Sequence, residues 1–353
     1  MAERGRTMML LAWSAVKVGY ALGFGLGLAG FLGWVERKQS AVLQDRIGAN
    51  RAEIFGWRII GLFHPVADGI KLMTKEDFVP QRVLRPFHAL APALSLGCCL
   101  LCLAALPFGG EVEAFGRNWN LQPLASPVGL VYVLALLGLG VHGVVMAGYA
   151  SNSNYGLLGG LRGAAQMVAY EVCMAAILAG PMFLYGTLDL QEAVRWQGRL
   201  LGGILPAWGV FTQPLAFLLF LVAGTAASKR IPFDLPEGES EIVGYHVEYS
   251  GMKFGMFMIS DFIENIVVCG LGATLFLGGW QVPFVDLSGI WGAIVMFASF
   301  SLKTCALLFL LMQVRWTLPR LRFDQLLDLG WKSLLPLSLA NFLITVWGCY
   351  LWR

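Results

Sequence analysis

Five carboxylates, Asp234, Glu237, Glu239, Glu241 and Glu248, fall within fifteen residues of "RIPFDLPEGESEIVGYHVEYSG" (230–251). Carboxylates this close repel one another, and partial burial raises their proton affinity toward neutral pH. Such a group can take up and release protons. Pro232 and Pro236 make the start of the stretch extended or turning. From Glu237 a helix is predicted, interrupted at Gly244, with Glu237, Glu241 and Glu248 near one face at 100° per residue. Phe233, Leu235, Ile242, Val243, Tyr245 and Tyr249 are interleaved with the acids and favour burial over free solvation.

More ionisable residues lie inside apolar runs: Glu171 in "AAQMVAYEVCM", Asp261 and Glu264 one turn apart in "MISDFIENIVV", and Lys17 and Lys303. Each costs about 2.5–3.5 kcal/mol at the centre of a membrane helix on insertion scales. Such residues are expected to face a polar interior and carry a proton or ion path. Snorkelling serves Lys17 equally well as an explanation.

The elements that position these residues follow from composition. The 353-residue chain is 57% hydrophobic, 13% charged and carries a formal charge of +3. A soluble domain carries about 25% charged residues. Apolar runs of twenty or more residues imply membrane-crossing helices, because backbone polar groups must be satisfied within the lipid. Eight spans are predicted, at about 9–34, 87–107, 127–149, 163–185, 206–227, 254–278, 288–313 and 331–352. The fold expected is an all-α polytopic membrane protein, one integral domain over 1–353, with large loops after the first and fifth helices. The first run is too long for a cleaved signal and is read as an uncleaved span. Loops after the odd-numbered spans hold 17 Lys and Arg, and the other side with both termini holds six. The positive-inside rule then places the acidic loop in the cytoplasm and both termini outside.

The first long loop contains a predicted helix from Pro65, with Val66, Ile70 and Met73 on one stripe and Asp68 and Lys71 on other faces. It suits a surface-lying amphipathic helix or a docking site for a soluble partner. No phosphate loop, HExxH or GxGxxG following a strand occurs. Seven cysteines lie in apolar segments, and Cys98, Cys99 and Cys102 lack the further ligands a metal site needs. No metal, iron–sulfur cluster, disulfide or nucleic-acid partner is expected. The four His (64, 88, 142 and 246) are scattered and read as mostly structural.

The residues 230–257, "RIPFDLPEGESEIVGYHVEYSGMKFGMF", resemble the third cytoplasmic loop of the quinone-site membrane subunit of respiratory complex I (the H subunit in bacteria, subunit 1 in mitochondria). Four further stretches agree in order: "ERK…QDRIGANR" (36–51), "PVADGIKLMTKEDFVP" (65–80), "AGYASNSNYGLLGGLRGAAQMVAYE" (147–171) and "LPRLRFDQLLDLGWKSLLPLSLAN" (318–341). The likeness implies a chain without a redox centre that forms much of a quinone tunnel and couples quinone reduction to proton pumping. Quinone is then substrate, with nothing bound covalently. The implied partners are soluble quinone-module subunits at the cytoplasmic loops, antiporter-like membrane subunits, and lipid. The implied location is the bacterial inner membrane. By motif, Glu237, Glu239, Glu241, Glu248 and Glu171 would carry proton coupling, joined by the buried Asp261 and Glu264. Glu36, Arg37, Asp68, Lys71, Arg230, Phe233 and Asp234 would line the tunnel. The sequence departs from the family at His142, where Tyr is common, and span 3 carries no carboxylate. Two other readings stay open: the equivalent component of a membrane-bound hydrogenase or related dehydrogenase, and a stand-alone proton or ion transporter.

Overall fold

The computed structural model describes residues 2–114, 117–201, 205–236, 238, 241–242, 244–283 and 289–351. Helices dominate. The first, α1 (Ala2–Leu43), runs on well past the predicted end at 34. About twenty residues suffice to cross a bilayer. The Glu36–Arg37 end of α1 therefore projects as rigid helix rather than starting a loop. A short helix, α2 (His64–Thr74), follows with Pro65 in its first turn, as the sequence predicts. Then come α3 (Arg85–Ala105), α4 (Gly129–Ala150) and α5 (Asn154–Tyr185). Between α3 and α4 lies a small antiparallel hairpin, β1 (Glu111–Ala114) with β2 (Arg117–Asn120), paired Glu111 to Asn120. After α6 (Leu190–Gln197) a second hairpin joins β3 (Leu200–Leu201) to β4 (Leu205–Pro206).

The predicted fifth span is broken. It comprises the single turn α7 (Gly209–Thr212), Gln213 out of helical geometry at φ −138°, and α8 (Pro214–Ala227). Pro214 cannot donate a backbone hydrogen bond, so it starts a helix instead of continuing one. The remaining elements are α9 (Gly251–Phe276), α10 (Gly289–Thr317), α11 (Phe323–Asp328), a π-helical turn at Leu329–Leu334, and α12 (Leu335–Leu351). By length and composition, seven helical segments among the described residues can cross a membrane, and α8 is a shorter apolar helix. The chain is a multi-pass membrane protein. Its fold is mostly helical, and the two hairpins qualify the all-α expectation.

The core forms where α5 and α9 meet α3, α4, α8 and α10. Tyr170, Ile177, Phe220, Ile266, Phe276 and Phe300 are fully or almost fully buried there. Polar side chains tie helices together inside this core. Gln213 donates to Thr345 at 2.7 Å and accepts from Asn341 at 3.0 Å. Lys303, inside α10, donates to the carbonyls of Gly279 and Gln281 and lies over the Trp208 ring. Lys17, inside α1, donates to the Gln122 carbonyl. Both intramembrane lysines thus find backbone partners instead of acids.

Among the described residues of the acidic loop, 238, 241, 242 and 244, none is helical. Glu237 and Glu239 lie outside the described residues, as does Val243. Residues 241–242 turn, and Gly244 takes a φ of 98°, a left-handed value that a helix cannot include. Only one 3₁₀ turn follows, Tyr245–Glu248. Burial of Phe233, Leu235, Ile242, Tyr245 and Tyr249 follows the expectation.

Candidate functional site, a charged cavity between α1, α9 and the third loop

The loop that leaves α8 is fixed at both ends. Lys229 takes a φ of 54°, which turns the chain sharply off the helix. The buried Gln166 amide of α5 donates to Ala226 O at 2.7 Å and to Phe233 O at 2.6 Å, spanning the turn. Leu321 N donates to Pro232 O at 3.2 Å, and the Arg320 guanidinium donates to the Asp234 carbonyl. "RIPFD" is therefore held between α5 and the α10–α11 connection. Long-range donors from Gln166, Leu321 and Arg320 satisfy carbonyls of this turn, as buried backbone requires.

This turn, α1, α9 and the end of α10 enclose a cavity of about 270 Å³. Its charged wall contains Glu36, Lys229, Arg230, Asp234, Asp261 and Arg315, and its aromatic wall contains Phe254, Phe257 and Phe262. The charges form two groups. At one, Arg230 Nη1 donates to both Glu36 oxygens at 3.1 and 3.0 Å, and Arg315 pairs with the same carboxylate. The Arg230 guanidinium also covers the Phe262 ring, 4.4 Å from its centroid. At the other, Lys229 Nζ lies 2.9 Å from Asp261 and 3.2 Å from Glu264. The Lys229 side chain is only 4% exposed. Burial works against its ammonium, but Asp261 and Glu264 outweigh that and hold its proton affinity well above the ordinary lysine value. Next to this cavity, Leu32, Leu308, Leu311 and Met312 line a smaller, more apolar space that shares Glu36, Arg230 and Arg315.

The predicted site residues separate accordingly. Glu36, Arg230, Asp234 and Asp261 share the cavity wall, and Glu264 lies behind it on Lys229. Phe233 lies beneath, packed on Tyr170 with centroids 6.1 Å apart. Arg37 is turned away and pairs with Asp68 at 2.6 Å, joining α1 to α2. Lys71 is exposed at the last turn of α2. Glu241 pairs with Arg162 of α5 at 2.9 Å, at the surface. Glu248 offers its backbone carbonyl to His88, whose ring stacks on Tyr249. Glu171 lies elsewhere, against Gly138 of α4, within electrostatic reach of Glu264 and Lys229. The first and third loops join where Lys253 pairs with Asp77 at 2.7 Å and Ser250 donates to Glu76 O at 3.0 Å.

Chemically, the cavity offers an apolar, aromatic surface with sparse charged groups at one end. That combination suits an amphiphile with an apolar body and a small polar head. Two ion clusters on its wall, one largely buried and one half-buried, can exchange partners as the charge of a bound head changes. Among the described residues no three His, Cys, Asp or Glu side chains converge as metal ligands.

The family model for NADH dehydrogenase matches residues 16–346. The chain belongs to this family. The H subunit of NADH-quinone oxidoreductase from Thermomicrobium roseum is 44% identical over 349 residues, 95% of this chain and 98% of the relative. The second H subunit of that enzyme from Geobacter sulfurreducens is 46% identical over 323 residues, 91% of this chain and 92% of the relative. The H subunit from Flavobacterium psychrophilum is 39% identical over 318 residues, 88% and 90% of the two chains.

Within this family member, sequence reasoning missed three ionisable residues of the cavity lining, Lys229, Arg315 and His246. Lys229 reads as one more loop cation, Arg315 as an ordinary basic helix end, and His246 as a structural histidine. The signal for Lys229 was present in outline. Two carboxylates a turn apart inside an apolar run need a counter-charge, and Lys229 adjoins the neighbouring apolar run. Arg315 had no such signal, because Glu36 meets it only through packing.

Proposed function

We propose that the chain is the membrane subunit of a proton-translocating NADH:quinone oxidoreductase, building much of the quinone tunnel and passing redox energy to proton movement. One observation carries the reading: the half-aromatic, half-ionic cavity continues into the apolar space along Leu32, Leu308 and Leu311. An isoprenoid quinone needs such a graded passage, apolar for its tail and polar for its head. Reduction of the head takes two electrons and two protons. The electrons come from other subunits, and the ionisable wall is suited to the protons. A newly charged or protonated head near Arg230 and Asp234 perturbs the Glu36–Arg230–Arg315 group, and the Lys229–Asp261–Glu264 group shares the same wall. Glu171, coupled electrostatically to Glu264, continues the line away from the cavity. Glu237, Glu239, Glu241 and Glu248 belong to the loop that faces the soluble arm in this reading.

The same proposal gives α8 the eighth crossing, helped by α7 and the Gln213 turn. It places the charged cavity and the 17-cation side in the cytoplasm, with the termini outside, in an energy-coupling inner membrane. The exposed stripe of α2, Val66, Ile70 and Met73, then rests on the membrane surface. The loop between α1 and α2, with Phe55 and Trp57 exposed, meets the soluble quinone-module subunits. Antiporter-like membrane subunits adjoin the helical sides.

The test is gentle-detergent purification through a tag on this chain, followed by an NADH:quinone assay with a tunnel-blocking inhibitor. A large complex with inhibitor-sensitive activity is expected. A complex that evolves hydrogen, or a lone polypeptide that transports ions, overturns the proposal.

A further inference from the structure

Beyond Asp261 and Glu264, α9 is dry. Every residue from Ile266 to Phe276 is buried, and none of them is an acid or a basic residue. The rise from Glu264 to Phe276 is about 18 Å at 1.5 Å per residue. Other segments close this far end of the helix. Tyr185 of α5 donates to Leu275 O at 2.7 Å, and Gln197 of α6 donates to Thr274 O at 2.8 Å. Gly278 and Gly279 take φ values of 72° and 51°, which hook the chain back, and Gly279 N donates to Ala273 O at 2.8 Å. A Cβ on Gly279 would stand 2.7 Å from the Val194 side chain, so only glycine permits the hook. Lys303, at the middle of α10, reaches into it. Its ammonium donates to Gly279 O at 2.9 Å and to Gln281 O at 2.6 Å, and lies 4.5 Å from the centre of the Trp208 ring. Among the described residues no carboxylate pairs with it. A helix C-terminus carries roughly half a negative charge, which by itself draws a proton toward the far side. A whole ammonium at that end reverses the sign. In low-dielectric surroundings a fixed cation disfavours a protonated water nearby, and pores exclude protons by the same means.

We infer that Lys303 is an electrostatic barrier that keeps protons taken up by the cavity carboxylates from leaking through this chain to the far side of the membrane. The inference rests on the proton-coupled reading above and gives the far end of α9 a function within it. Holding the hook together needs only hydrogen-bond donors, which a neutral amide supplies. A cation inside the membrane without an acid partner is costly, and its charge has a use beyond those two bonds. The carboxylates and the barrier lie on one helix: Asp261 and Glu264 toward the cavity, a dry apolar stretch, then a net positive end.

The test uses the assembled complex in sealed proteoliposomes. Quinone-driven acidification by the wild type is measured first and tests the broader reading alone. Turnover is then blocked with a tunnel inhibitor, and passive proton and chloride fluxes are read with lumenal dyes under an imposed gradient. Lys303→Gln keeps an amide donor and loses the charge, whereas Lys303→Arg keeps both. Lys303→Gln is expected to raise proton flux by about tenfold, the effect of a unit charge roughly 10 Å away at an effective dielectric constant near 20. Chloride flux should stay at the wild-type level, and Lys303→Arg should match the wild type for both ions. A removed charge admits cations selectively, while a loosened hook admits both signs. Should Lys303→Gln not assemble, Lys303→Met, closer in length, is read the same way. Proton flux at the wild-type level in the neutral variant, or equal rises in proton and chloride flux, overturns the barrier and leaves the broader reading standing. If the wild type reduces quinone without acidification, the broader reading falls, and the passive fluxes still decide the barrier.

Discussion

Replacing Lys229 by Met removes one ammonium from between two carboxylates while nearly preserving side-chain length. Lys229 Nζ lies 2.9 Å from Asp261 and 3.2 Å from Glu264, with side-chain exposures of 4%, 15% and 6% for the three residues. Bulk water therefore takes over little of the lysine's role. Breaking a buried pair by removing one partner costs about 3–5 kcal/mol, because an uncompensated charge is left behind. The carboxylates can limit that cost only by binding a proton. Lys229→Met is thus expected to reduce the amount of assembled complex severely, or to trap Asp261 or Glu264 in its protonated form. Infrared difference spectra of the purified complex should then gain a protonated-carboxyl band. The compensating double variant Lys229→Met with Glu264→Gln removes one charge of each sign. It should recover about 1–3 kcal/mol of the loss, seen as more assembled complex on native gels and a higher inactivation temperature. Equal stability of wild type and Lys229→Met, or strictly additive losses in the double variant, would refute the buried triad.

Arg230→Lys should lower kcat/KM for quinone by about tenfold, because an ammonium has no planar face to lay over the Phe262 ring as the guanidinium does. Quinone titration, with an artificial acceptor as control, checks this. Arg320→Ala removes a charged donor from the Asp234 carbonyl, an interaction worth about 1.5–3 kcal/mol. It should loosen the "RIPFD" turn and weaken tunnel-inhibitor binding, read as a raised half-inhibitory concentration. Glu241→Gln breaks a surface pair with Arg162, so stability should change by about 1 kcal/mol or less. Its quinone reductase activity should nevertheless fall, with the NADH-side acceptor reaction spared. Unchanged quinone activity would remove Glu241 from the coupling path.

Some features follow directly from local sequence. Long apolar runs require helices, and Pro65 lies in the first turn of the helix that contains it. The five ordered motifs carry the family resemblance by themselves. Local periodicity failed in the acidic loop, where Gly244 and the turn at 241–242 exclude the helix that would have aligned Glu237, Glu241 and Glu248. It also failed across Gln213, where one non-helical residue divides an otherwise continuous apolar run.

The pairing of charges was left entirely to the tertiary structure. Hydropathy and charge counts depend on neighbours along the chain, whereas Glu36 and Arg230 are 194 residues apart and Lys229 and Asp261 are 32 apart. Composition could say that Asp261 and Glu264 needed a cation inside the membrane. Only the sharp turn after α8 and its packing on α9 decide that Lys229 supplies it. Likewise Glu36 could pair with its neighbour Arg37 by proximity in sequence. Helix geometry sends adjacent side chains about 100° apart, so Arg37 reaches Asp68 on α2 while Glu36 faces Arg230 and Arg315 across the cavity.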